Sequence, residues 1–158
     1  MPLIIGIDPG LQRTGWGIIQ HNGNALSFVE CGVITTDNTT QISERVLRIS
    51  NEIGRVIALH KPQEAAVEET FVNVNGQATL KLGQARGAIL LTLAQAGMQI
   101  SEYAATLVKK SIVGAGRAEK NQVARMVQIL LPGCSKHGPD AMDALAVAIC
   151  HAHHSRKY

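Results

Sequence analysis

Residues 3–20 read LIIGIDPGLQRTGWGIIQ, two apolar, β-rich runs on either side of a Pro9-Gly10 break. The first run, Leu3 to Asp8, is a strand that ends on a carboxylate, because Pro9 has no amide donor for a ladder. Thr14 to Gln20 has the β-branched and aromatic content of a second strand, and Ala25 to Thr35 (ALSFVECGVIT) that of a third. His21 to Asn24 separates them, and its Asn-Gly pair is a strong hairpin signal. The chain therefore opens as an antiparallel meander.

Beyond the meander the apolar period changes. Ile42, Val46, Ile49, Ile53 and Val56 recur at steps of three and four within residues 41–59, one helical stripe, and Pro62 stops it. Glu64 to Glu69 (EAAVEE) reads as a short strand ending in carboxylates, although so short a run is also compatible with helix. A second helix over residues 76–96 sets Leu82, Ala85, Ile89 and Leu93 on one face, and Gln99 to Tyr103 is the next strand. Helices over 105–113 and 119–131 surround the loop Gly114 to Gly116, and Pro139 opens a last helix reaching about His151. A meander followed by alternating helices and strands predicts an α/β fold with a mixed five-stranded sheet flanked by helices. Ligands in such sheets bind near the strand carboxyl ends.

With 158 residues the chain is expected to form a single domain over 1–158, too short for a two-domain enzyme. Apolar residues at 46% and charged residues at 17% exclude a disordered tail, and aromatics at 3% leave the core to Ile, Val, Leu and Ala. The N-terminus has no basic stretch followed by a long apolar one, so neither a signal peptide nor a transmembrane helix is expected, and the location is expected to be cytoplasmic. Cys31, Cys134 and Cys150, odd in number and widely spaced, fit reduced structural thiols. Charge is uneven: five basic and eight acidic side chains in residues 1–80, against ten and four in 81–158. The second half is thus suited to a polyanion, with nucleic acid and a merely solvated basic face at even odds.

Three of the four aspartates fall at conspicuous places: Asp8 after the first strand, and Asp140 with Asp143 on the last helix. Residues three apart share a helix face, so Asp140 and Asp143 can point into one space, and Glu68 at another strand end can join them. Carboxylates brought together in a partly dry site either protonate or demand a cation, and an all-oxygen set suits Mg²⁺ or Mn²⁺. Two such ions about 4 Å apart can activate water and stabilise a leaving oxygen in phosphodiester hydrolysis. Taken singly, each carboxylate has a plainer reading as a turn, surface or helix-end residue.

GIDPGLQRTGWG (6–17), AVEETF (66–71), LKLGQARGAIL (80–90), EYAATLVKKSIVGAGRAEKNQV (102–123) and DAMDALAVAI (140–149) resemble, in collinear order, the RuvC family of bacterial Holliday-junction resolvases. The resemblance implies an RNase H-like fold and a homodimer that places paired, symmetric nicks in a four-way DNA junction by Mg²⁺-dependent hydrolysis, in recombination and repair. It implies two Mg²⁺ ions, with Mn²⁺ as a plausible substitute, held by Asp8, Glu68, Asp140 and Asp143 as the catalytic set. Strand alternation turns Glu69 away from Glu68. The resemblance further implies junction contact by Phe71, DNA contact by Lys109 and Lys120, and RuvA and RuvB as branch-migration partners. Lys81, Arg86, Lys110 and Arg117 are further phosphate-binding candidates, each with a plainer reading as a solvated side chain.

Two other functions compete. An actin- or sugar-kinase-like nucleotide-binding ATPase has a similar opening strand but needs two domains, and a catalytically silent junction-binding module would tolerate loss of the carboxylates. Gly10 to Gly15 has P-loop spacing, but Trp16-Gly17 stands where Lys-Ser/Thr is required, and Gly114 to Gly116 lacks the third glycine of a dinucleotide loop. His151, His153 and His154 are expected to be frayed and solvated, and His137 to be an ordinary loop histidine, although its position before the last helix would let it position water.

Overall fold

The computed structural model describes residues 2–69, 74–114, 119–134 and 137–155; Phe71 and Arg117 lie outside them. In chain order the elements are β1 (Leu3–Asp8), β2 (Arg13–Asn22), β3 (Ala25–Thr35), α1 (Ile42–His60), β4 (Glu64–Glu68), α2 (Gly76–Gln95), β5 (Gln99–Tyr103), α3 (Ala105–Val113), α4 (Lys120–Leu130) and α5 (Pro139–His154). The five strands form one mixed sheet in the order β3-β2-β1-β4-β5. β1 pairs antiparallel with β2, and β2 with β3, as the hairpin signal predicts; Asn22 faces Ala25 across a two-residue loop in which Gly23 has φ 59°. β4 and β5 join parallel to β1 after helical crossovers, so the run 64–68 is a strand and its helical alternative falls away.

Strand alternation divides the core into two layers. Ile5 and Ile7 of β1, Ile18 of β2, and Ala65 and Val67 of β4 meet Ile49 and Ile53 of α1 and Ile89 and Leu93 of α2. Ile4, Ile19 and Ala66 point the other way, onto α5, Val108 and Ile112 of α3, and Val123 and Val127 of α4. Helix α5 is buried almost all round, from Ala141 to Ala152 except for Asp143, which explains its continuous apolar sequence.

Small residues on the α5 side of the sheet let this helix descend. A Cβ on Gly6 would stand 2.2 Å from the Ala144 carbonyl oxygen, one on Gly15 2.0 Å from that of Asp140, and one on Gly17 2.5 Å from Cδ2 of Leu145. Glycine weakens a strand, so three on one face are explained by the approach they permit. They set the start of α5 directly over the ends of β1 and β2.

On the other face Ile49, Ile53 and Val56 of the expected α1 stripe are buried, but Ile42 is exposed, and Arg45 is buried instead, its Nε donating to Thr36 Oγ1 at 2.9 Å. Helix α5 continues to His154, three residues beyond its expected end. All three cysteines are free and buried, and none of the described helices is long and apolar enough to cross a membrane.

Candidate active site

The sheet register brings the first two carboxylates together. Gly6 of β1 is level with Ala66 of β4, so Asp8 and Glu68, two residues further along each parallel strand, end side by side on the α5 face. Their carboxyl groups hydrogen-bond to each other. Asp143 comes down from the first turns of α5, and Lys109 of α3 and Lys120 of α4 close the opposite side. These five, with Ala105, Val108, Val123 and Ala146, line a cavity of about 220 Å³.

Electrostatics in this cavity are dominated by carboxylates withdrawn from water. Burial first, then the charge of Glu68 and its hydrogen bond, then Asp143 and Asp140, push the Asp8 carboxyl up to about 8 from an ordinary 3.8. Glu68 is also raised by burial and by Asp143, and is drawn back by its bond to Asp8 and by the two lysines. Burial raises Asp143, against which Lys120 acts, its Nζ 3.5 Å from Asp143 Oδ2. Burial and mutual repulsion thus favour a proton retained on the Asp8–Glu68 pair while no cation is bound.

The two α5 aspartates diverge more than their spacing suggests. Asp143 faces the cavity, whereas Asp140 is absent from its lining and pairs at the rim with Arg13 of β2, Nε to Oδ2 3.4 Å. Asp140 still acts on both Asp8 and Asp143 through its charge. Among the described residues no three His, Cys, Asp or Glu side chains already converge into a coordination set. The donors nevertheless suit a hard dication in kind: all are oxygens, and among the described residues their charge is offset by a shared proton, two ammonium groups and the Arg13 guanidinium. Asp143 already lines the cavity beside Lys120, whereas Asp140 is held towards Arg13 at the rim, so a set of all four would require Asp140 to turn inward.

The expected DNA-facing residues separate into groups. Lys109 and Lys120 border the cavity, and Lys110 is exposed on α3. Lys81 lies on α2 in a groove with Asn38, Arg45 and Gln77, on the opposite face of the sheet. Arg86 is not a free cation: its side chain is 15% exposed, Nη1 donates to the Glu68 carbonyl oxygen at 2.7 Å, and Nη2 pairs with Glu102. His137 is exposed beside the ring of Phe28, with centroids 6.0 Å apart, as befits a loop histidine.

The expectation of frayed, solvated C-terminal histidines fails for His151, which is buried, and for His153, which is half-buried, whereas His154 is helical but exposed. His151 is buried, its Nδ1 2.8 Å from the Tyr103 hydroxyl and its Nε2 3.1 Å from Glu64. His153 Nδ1 lies 3.1 Å from the Ser111 hydroxyl, and His154 Nδ1 2.8 Å from the Cys150 carbonyl oxygen. These contacts fasten the far end of α5 to β4, β5 and α3, because the helix extends past the point where a His-rich tract looks terminal. Sequence reading also missed Arg13, whose pairing with Asp140 spans the chain and exists only once α5 lies on the meander. The Gly6, Gly15 and Gly17 spacing was the available signal for that approach.

Residues 4–151 match the family described as "Crossover junction endodeoxyribonuclease RuvC". The chain is 58% identical over 151 residues to the protein of that name from Xanthobacter autotrophicus, covering 96% of this chain and 89% of the relative. It is 56% identical to the one from Afipia carboxidovorans, with 96% and 88% covered. Thermus thermophilus RuvC solved in complex with a Holliday junction substrate superposes with a TM-score of 0.92 at 32% identity, over 99% of this chain and 96% of that one. The yeast mitochondrial Holliday junction resolvase Ydc2, 11% identical at a TM-score of 0.69 over 94% and 77%, shares the fold alone. A sequence match over nearly the whole chain, on an RNase H-like sheet that sets Asp8 beside Glu68, gives the conclusion that the chain belongs to the RuvC family of crossover junction endodeoxyribonucleases.

Proposed function

We propose that this protein resolves four-way DNA junctions by divalent-metal-dependent hydrolysis, working as a homodimer that nicks two strands symmetrically. The observation that carries this is a single cavity in which Asp8, Glu68 and Asp143 face Lys109 and Lys120. A silent binding module has no need to bury three carboxylates at that cost. An ATPase of the kinase type is not favoured by a chain whose family relatives are junction endonucleases.

Each residue then has a task. Asp8 and Glu68, with Asp143 and Asp140, would hold Mg²⁺ or Mn²⁺, the proton retained by the Asp8–Glu68 pair passing to solvent water. A bound dication supplies Lewis acidity at the scissile phosphate and a nucleophilic water near neutral pH. Lys109 and Lys120 neutralise the phosphate, and Lys120 exchanges Asp143 for it as the strand enters. Phe71, on the segment that follows Glu68, stacks on a base unpaired at the crossover. Lys110 and Arg117 add phosphate contacts without base readout, so selectivity rests on junction shape. Paired nicks need two copies, and exposed Leu80 and Leu91 on α2, with Gly83 and Gly87 between them, offer an apolar strip for that contact. RuvA and RuvB are the branch-migration partners the family membership suggests.

The test is incubation of the purified protein with a synthetic four-way junction, a linear duplex and ATP, each with and without Mg²⁺. Only the junction should be cut, and only with metal; ATP turnover or metal-free cutting would refute the reading.

A further inference from the structure

Arg86 stands on α2, across the sheet from the cavity, where the parallel strands β4 and β5 end. Its guanidinium is largely buried and has three partners of different kinds. Nη1 donates to the backbone carbonyl oxygen of Glu68, Nη2 pairs with the Glu102 carboxylate of β5, and the charge of Glu69 favours its cationic form. Glu69 in turn donates its backbone N–H to the Tyr103 carbonyl oxygen at 2.8 Å, the last rung between the two strands. The Glu68 side chain itself points to the other face, into the cavity, whose lining does not include Arg86. A planar cation with forked donors can hold a carbonyl and a carboxylate at once in a fixed geometry, which an ammonium on a flexible stem cannot.

We propose that Arg86 is a positioning residue: from behind the sheet it clamps the last peptide of β4 to β5 and so fixes where Glu68 stands beside Asp8. Resting on the reading of these carboxylates as the metal set, this means that Arg86 governs metal capture and makes no contact with DNA. Partners outside a coordination set typically change metal affinity about 10–100-fold when removed.

The test compares wild type with Arg86→Gln, Arg86→Lys and Glu102→Gln. It measures Mg²⁺ binding by calorimetry without DNA, junction affinity in metal-free buffer, and the Mg²⁺ midpoint for junction cleavage. Arg86→Gln should weaken Mg²⁺ binding about tenfold or more and raise the cleavage midpoint in parallel, with metal-free junction affinity unchanged. Arg86→Lys should recover only part, since one ammonium cannot serve both partners. Glu102 is 43% exposed, so Glu102→Gln is compatible with folding even where Arg86→Gln is not, and it should shift Mg²⁺ binding in the same direction by less. Loss of junction affinity with Mg²⁺ binding unaltered would make Arg86 a phosphate contact and overturn the proposal. Unaltered Mg²⁺ binding in all folded variants, Glu102→Gln included, would overturn it too. Failure of the wild type to cut any junction while binding Mg²⁺ would instead refute the nuclease reading, and the calorimetric comparison would still decide the role of Arg86.

Discussion

Asp8 carries the greatest electrostatic stress in the site. Its carboxyl is pushed up to about 8 in the fold from an ordinary 3.8, so the folded chain binds that proton more tightly than the unfolded one. The stability it contributes is complete below about pH 4 and is lost as pH rises through about 8. Glu68 and Asp143, raised in the same direction, add to the loss. In metal-free buffer the Tm of wild type should therefore fall relative to Asp8→Asn between about pH 5 and 8, and added Mg²⁺ should recover the deficit. Thermal melts that keep a constant gap across that window would contradict the buried pair. The sequence pointed to all four carboxylates because aspartates are scarce in it and sit at element ends. It did not reveal which of them face the cavity, since Arg13 and Lys120 reach Asp140 and Asp143 only in the assembled fold.

Helix α5 is the element on which the site depends. Alternation and period placed nearly every strand and helix, because each buries one face and its apolar spacing records that face. Helix ends were less legible: α5 runs to His154 because Tyr103, Glu64 and Ser111 supply partners that its own sequence does not reveal. Gly15 shows what the close approach requires. Its added Cβ would meet the Asp140 carbonyl oxygen at 2.0 Å, and a backbone atom can yield only by moving the whole first turn. Gly15→Ala should cost about 1–3 kcal/mol in denaturant unfolding and should lower cleavage more than metal-free junction binding. A variant with wild-type stability and activity would show that α5 is free to lift from the sheet. Gly23→Ala, with nothing within 4 Å of its Cβ, would meet only backbone strain at the hairpin and should leave cleavage unchanged.

At the scale of the whole molecule, the basic second half of the sequence resolves into distinct places. Lys109 and Lys120 border the cavity, Lys81 lies on the opposite face, and Arg86 is internal. Net charge indicated a polyanion but could not divide these roles, because that division is set by which face of the sheet each helix covers. Replacing Lys109 by Ala should reduce the slope of log junction affinity against log salt by about 0.9, one phosphate contact, with little change in preference between junction sequences. Lys81→Ala should leave the slope unchanged if only the cavity face meets DNA, and a shallower slope would extend the DNA surface to α2. Leu80→Asp with Leu91→Asp should give monomers in sedimentation that nick one strand without resolving the junction. A persistent dimer would move the interface away from α2.

The central claim is that the buried carboxylates hold the cation that drives strand cleavage. Its most direct test is the single-turnover cutting rate of Asp8→Asn on a four-way junction across a Mg²⁺ titration, alongside its junction affinity without metal. A cation that stabilises the reaction by several kcal/mol predicts a loss on the order of a hundredfold or more at every Mg²⁺ concentration, with binding retained. Cutting at the wild-type rate would contradict it.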